Sequence, residues 1–466
     1  MITPQYQEDF INSIPQFKDV ISHFYQSNEL LNTIFSNLLS DNLMQANMSQ
    51  SLQKMQFIAN QSLSNAIAEF IKQAPDFNPA IKDPEQIYAF QTVLWQILEK
   101  HYLQMLANND FQQAFADLIN NAAKDYSPHH FKMSDKITLP TAITFDECAK
   151  TIIYQKDRVT LYHYESLAPQ RIRTPLLIVY ALVNRPTILD LQADRSLIRQ
   201  LLLAGLDIYL IDWGNPTEED SNLSLKDYLA DYIKHSVNQI CQTHQVKAIN
   251  MLGVCQGGIM SVCYAALNPK QIKNLITIVT PVEYHSPENI LGKLLQYLDI
   301  DLIVEKWGNI SGICIAQSLL NLRPFRLLQE KYRPIIRGTA TSDQVTFFSR
   351  MESWLHDCPD HPRELFREFI KYFYQQNNLM NNKIVIGKKT VKLKNITMPV
   401  LNIYAHDDHL VPPSAAKPLA NAISTLDYTE LEYKSGHIGV FVSNKALTEI
   451  PKLLTEWLEQ RDVQKK

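Results

Sequence analysis

Six short, nearly continuous apolar runs constrain this chain more than any other feature. They are PLLIVYA (175–181), DIYLIDW (207–213), KAINMLGV (247–254), NLITIVTPV (274–282), PVLNIYA (399–405) and YTELEY (428–433). Helical stretches lie between them, among them SLIRQLLLAG (196–205), SLKDYLADYIKHSVNQICQTH (224–244) and IMSVCYAAL (259–267). Runs of four to eight apolar residues suit strands buried on both faces, and helices between such strands act as crossovers. The pattern predicts a mostly parallel, doubly wound sheet.

Residues 1 to about 130 are of another kind. They contain no glycine, and apolar residues recur at helical spacing, as at Ile87, Phe90, Leu94 and Ile97. Asp83 followed by Pro84 predicts a helix start, and FQQAFADLINNA (111–122) a second amphipathic helix. Residues 284–395 interrupt the strand–helix rhythm with long, aromatic, mixed sequence, which predicts a cap over the sheet. Within it KIVIGKKTVKL (383–393) reads as a hairpin turning at Gly387, its lysines as a solvated face. HDCPDH (356–361) reads as cap-surface chemistry, and the closing EQRDVQKK as a frayed end.

The chain has twelve glycines, and three of them crowd Cys255 in GVCQGG (253–258), between a predicted strand and a predicted helix. A nucleophile on so sharp a turn has strained backbone angles. Side chains at Gly253 and Gly257 would strike the neighbouring strand and helix, and Gly258 lets the helix approach the sheet. This is the G-x-S-x-G nucleophile elbow with cysteine in place of serine. It predicts an α/β-hydrolase fold with a cap insertion, preceded by an all-α N-terminal domain. The expected boundaries are 1–130 for the helical domain, 131–283 and 396–466 for the core, and 284–395 for the cap.

A nucleophile needs a base, and the base an orienter. In this fold both follow the nucleophile in the chain. IYAHDDHLVPP (403–413) offers Asp407 and Asp408 beyond a strand, and pattern alone does not choose between them. YKSGHIGVF (433–441) offers His437, with Gly436 expected to permit a tight turn. All three groups reach the edge where the C-terminal ends of the strands gather. His406 and His409 flank the aspartates, but an H-x-x-H in a loop is weak metal spacing, and no metal is expected.

Six cysteines without C-x-x-C spacing read as reduced thiols of a cytoplasmic protein. A net charge of −4 gives no footprint for nucleic acid. The N-terminus lacks a secretory pattern, and the apolar runs are too short to span a membrane.

Together PLLIVYALVNRPTILDLQADRSLIRQLL (175–202), LDIYLIDWGNPTEED (206–220), GVCQGG, TPVEYHSPENI (280–290), NIYAHDDHLVPP and SGHIGV resemble the polyhydroxyalkanoate synthases, most closely the class III catalytic subunit, over residues 150–460. The resemblance implies polymerisation of (R)-3-hydroxyacyl-CoA, with short acyl units such as 3-hydroxybutyryl, into polyester. CoA leaves as a product and no cofactor is needed. It implies Cys255 as nucleophile, Asp408 rather than Asp407 as orienter, and His437 as base. The backbone N–H groups of Gln256 and Val183 are the implied oxyanion donors. A homodimer joined through the cap, a location at polyester granules and a second synthase subunit are further implications. Class III likeness begins only near residue 130, so the preceding helices are expected to play the separate subunit's role. The rival readings are a cysteine-type α/β-hydrolase acting as acyl-CoA thioesterase or acyltransferase, and a granule-coating protein without catalysis.

Overall fold

The computed structural model describes residues 44–73, 84–125, 145, 148–323 and 341–462. The chain divides into two compact units.

In the first unit, three helices precede the sheet: α1 (Met44–Gln73), α2 (Pro84–Leu106) and α3 (Asn109–Asp125). Pro84 is the first helical residue of α2, where its missing N–H costs nothing. The expected cap Asp83 lies outside the described residues. Leu94 and Ile97 of the expected face are buried, with Leu63, Ala66 and Phe70 of α1 and Phe111 and Leu118 of α3. Asn108 starts α3 by accepting from the Phe111 N–H at 3.1 Å. Residues 293–307 and the helical piece from Gln317 belong to this unit.

The second unit is built on an eight-stranded sheet. Its strands are β1 (Lys150–Lys156), β2 (Val159–Tyr164), β3 (Leu176–Val179), β4 (Ile208–Asp212), β5 (Ile249–Val254), β6 (Ile272–Ile278), β7 (Val400–Ala405) and β8 (Tyr428–Tyr433). Their order is β1-β2-β4-β3-β5-β6-β7-β8. All six expected strands are present and run parallel to one another. Every residue of β3, β5 and β7 is buried, as crossovers on both faces require. Inside the sheet, side-chain bonds pin the register: Asn274 donates to Asn250 at 2.8 Å, and Thr277 to Asn402 at 2.9 Å.

The hairpin β1–β2 is an addition to the expected set, and β2 pairs antiparallel with β4. Strand β1 lies at the edge, carries Ile152 exposed, and slips register between Ile152 and Tyr154. Edge position and slip together erase the two-residue alternation by which such a strand would be read.

The crossovers include α4 (Leu197–Leu203), α5 (Lys234–Thr243) and α6 (Gln256–Leu267). Ser196 caps α4 by accepting from the Arg199 N–H at 2.8 Å. Further on lie α7 (Ser342–His356) and α8 (Asn444–Asp462). The small hairpin turns at Gly387, as expected, with φ of 61°. The C-terminal end is not frayed as far as Asp462. Its carboxylate accepts from the Arg173 N–H, Thr174 and Lys273, each at 2.7 Å, which fastens α8 to the sheet.

Candidate active site

Strand β5 delivers the chain into α6 through one residue, Cys255, whose φ of 51° and ψ of −117° lie where non-glycine residues are strained. Such a conformation costs about 1–3 kcal/mol and persists only when its surroundings over-determine it. Here they do. The Cys255 N–H donates to the Ile278 carbonyl at 3.0 Å, and its own carbonyl accepts from Gly258 and Ile259 at 3.0 and 3.2 Å.

The three glycines make this possible by close approach. A Cβ on Gly253 would strike Gly258 and the Ser261 hydroxyl; on Gly257, the carbonyl oxygens of Val179 and Tyr180; on Gly258, the Thr280 side chain. Gly436 is different from its expected role. Its φ is not positive, and a Cβ there would meet only the Asp407 carbonyl at an ordinary 3.8 Å. The closer approach lies at Gly439, where a Cβ would meet the Ser435 hydroxyl.

The loops after β7 and β8 are laced together. His406 donates its N–H to the Tyr433 carbonyl at 2.8 Å, and Asp407 to that of Ser435 at 2.9 Å. This pairing leaves the Asp407 side chain exposed and turns Asp408 inward. One Asp408 carboxylate oxygen accepts from the N–H groups of Leu410 and Val411, both at 2.9 Å. The other meets His437 Nδ1 at 2.6 Å, with the Asp408 side chain wholly buried. A proton on Nδ1, held by the carboxylate, leaves Nε2 of the ring for another partner.

Cys255 lies near enough to that ring to act on its charge. Burial disfavours a charged imidazole here, but Asp408 and Cys255 outweigh it and push His437 up to about 10. Other thiols lack such company. Burial pushes Cys148 and Cys263 up to about 12 and Cys358 up to about 11, which keeps them protonated and weakly nucleophilic.

Gln256 opens α6, and its backbone N–H is among those a helix start leaves without an intrahelical partner. Its side chain has a function that sequence reading missed: Oε1 accepts from the Leu182 N–H at 3.2 Å, tying the elbow to the loop after β3. Val183, the next residue of that loop, is half-buried.

HDCPDH is a surface feature only in part: Asp357 and Asp360 are exposed, as expected, while Pro359 and His361 are not. His361 is buried, and its backbone pairs with Ile310 in both directions at 2.9 Å. Burial brings its imidazole down to about 4. His406 pairs with Glu432 at 2.6 Å, and Glu432 also holds Lys417 at 2.9 Å. Among the described residues, no group of three His, Cys, Asp or Glu side chains is placed to hold a metal ion.

Two family models match the chain. One, described as the alpha/beta hydrolase fold, covers residues 174–443, more than half of the sequence. The other, described as the poly-beta-hydroxybutyrate polymerase (PhaC) N-terminus, covers residues 97–201 and so begins within α2, upstream of residue 130. A poly(3-hydroxyalkanoate) polymerase subunit PhaC of Thiocystis violacea is 45% identical over 340 residues, which is 72% of this chain and 95% of that protein. The subunit of the same name from Allochromatium vinosum is 44% identical over 74% of this chain and 98% of its own length. That from Synechocystis sp. is 42% identical over 67% and 84%. The sheet order, the cysteine elbow and this extent of identity coincide: the chain belongs to the poly(3-hydroxyalkanoate) polymerase PhaC family.

Proposed function

We propose that this poly(3-hydroxyalkanoate) polymerase joins (R)-3-hydroxyacyl units, such as 3-hydroxybutyryl, through a thioester on Cys255. One observation carries the reading. The cysteine held in a strained turn lies beside the His437 ring, whose Nδ1 meets the buried Asp408 carboxylate.

The proton of the attacking sulfur is held on His437, whose affinity for a proton is raised, as the sulfur attacks the acyl carbon. The bond from that carbon to the CoA sulfur breaks, and the departing CoA leaves with the proton. One thioester replaces another, so this step is nearly balanced. The 3-hydroxyl of another unit then attacks a Cys255 thioester and yields its proton to His437. An ester forms, the cysteine sulfur is released, and the exchange runs downhill. Asp408 is a poor second base, because three hydrogen-bond donors already occupy its oxygens. Its part is to orient His437 and stabilise the imidazolium. The N–H groups of Gln256 and Val183 receive the developing oxyanion, worth about 3 kcal/mol per donor. CoA is a product, and these steps call for no cofactor.

The test is purified full-length protein with 3-hydroxybutyryl-CoA, following free thiol and product together. Polymer with CoA release in the parent, and neither in Cys255→Ala, supports the reading. Free hydroxy acid as the sole product indicates a thioesterase instead. The helices before the sheet take the separate subunit's role in this reading, and the protein works as a homodimer at the granule surface. No described helix is long and apolar enough to cross a membrane.

A further inference from the structure

The loop after β3 is held from several directions. The Trp213 indole donates to the Tyr180 carbonyl at 3.0 Å. Gln256 accepts from the Leu182 N–H. Asn184 sits in the left-handed region at φ of 58°, and its buried carboxamide donates to the carbonyls of Trp354 and Leu355 at 3.1 and 3.0 Å. Both lie in the last turn of α7; the Trp354 carbonyl also accepts from the Asp357 N–H at 3.1 Å, so Asn184 is its second donor. The Trp354 indole returns a bond to the Arg185 carbonyl at 2.8 Å. The Arg185 guanidinium then reaches the Gly214 carbonyl at 2.9 Å, Asn215, and Asp357 at 3.2 Å. The DWGNP segment and the start of HDCPDH therefore share one task, gripping residues 180–185. Val183 lies between two tethered neighbours, Leu182 and Asn184.

We propose that Asn184 is a positioning residue, which fixes the Val183 N–H by fastening this loop to the C-terminal end of α7. The inference rests on the Cys255 thioester reading above. Its physical basis is geometric: an oxyanion donor acts only within hydrogen-bond reach of the developing charge. A left-handed residue immediately after Val183 is free to relax unless its side chain is anchored. Movement of α7 would thus slow acyl transfer without touching the thiol.

The test uses the full chain. Asn184→Gly keeps the left-handed backbone accessible and removes the anchor. Asn184→Asp keeps the shape and sets a carboxylate against the helix carbonyls, a second variant should the first fold poorly. Two reactions of Cys255 are compared in each. Alkylation by iodoacetamide needs the thiol but no oxyanion donor; single-turnover CoA release from 3-hydroxybutyryl-CoA needs both. The expected result is alkylation within about twofold of the parent, CoA release slowed roughly tenfold or more, and KM changed by less than about threefold. CoA release within about twofold of the parent, or alkylation falling in step with it, overturns the proposal. Failure of the underlying reading is separable: parent protein alkylated at Cys255 would then still release CoA, which sinks both claims without any Asn184 variant.

Discussion

At the scale of single residues, the site depends on where a Cβ can and cannot be. Gly257 faces two carbonyl oxygens at the end of β3, so Gly257→Ala is expected to lower stability by about 2–3 kcal/mol and to remove activity, checked by denaturant unfolding and CoA release. Asp408→Asn exchanges an acceptor for a group that can select the wrong imidazole tautomer. A loss in kcat on the order of 10³-fold or more is expected, with KM little changed. His437 also leaves a signature in stability. Its raised affinity for a proton in the fold stabilises fully below the unfolded value near 6.5 and is lost as pH climbs through about 10. The stability gap between parent and His437→Gln is therefore expected to narrow across that window in unfolding measurements at successive pH values. A gap constant with pH would remove the charged pair from the description. The sharp turn at Cys255 was legible in the sequence because close approaches leave no room for a Cβ at three fixed offsets. The choice between Asp407 and Asp408 was not legible from pattern. The two differ only in which of them the β8 loop turns inward, a tertiary fact that no local rule carries.

At the scale of elements, five of the six parallel strands were legible because burial writes a nearly unbroken apolar run, and the edge strand β8 because Leu431 and Tyr433 alternate with the exposed Glu430 and Glu432. The β1–β2 hairpin was not, since an edge strand with a register slip has no such constraint. HDCPDH misled in one residue: its aspartates face solvent, as their chemistry suggests, yet His361 is buried. The low proton affinity of its imidazole makes the fold sensitive to acid. The unfolded chain takes up a proton below about 6.5 while the fold resists until about 4, so stability falls as pH drops through that range. His361→Phe is expected to flatten the acid limb, by on the order of 3 kcal/mol between those limits. An unchanged acid limb would mean that His361 titrates normally in the fold.

At the scale of the molecule, the two units invite a division of labour. The likeness to the PhaC N-terminus begins at residue 97, within the helices, so their end near residue 130 is not where family resemblance stops. Deletion of residues 1–130 is expected to abolish polymer formation by the chain alone, while undiminished polymer would show that the sheet unit suffices. Everything else depends on the sulfur of Cys255. The most direct measurement is CoA release by purified full-length parent and Cys255→Ala with 3-hydroxybutyryl-CoA, together with the mass of the peptide bearing residue 255. The expected result is an acyl adduct on that peptide in the parent and no CoA release from the variant. Undiminished release from Cys255→Ala would contradict the mechanism at its centre.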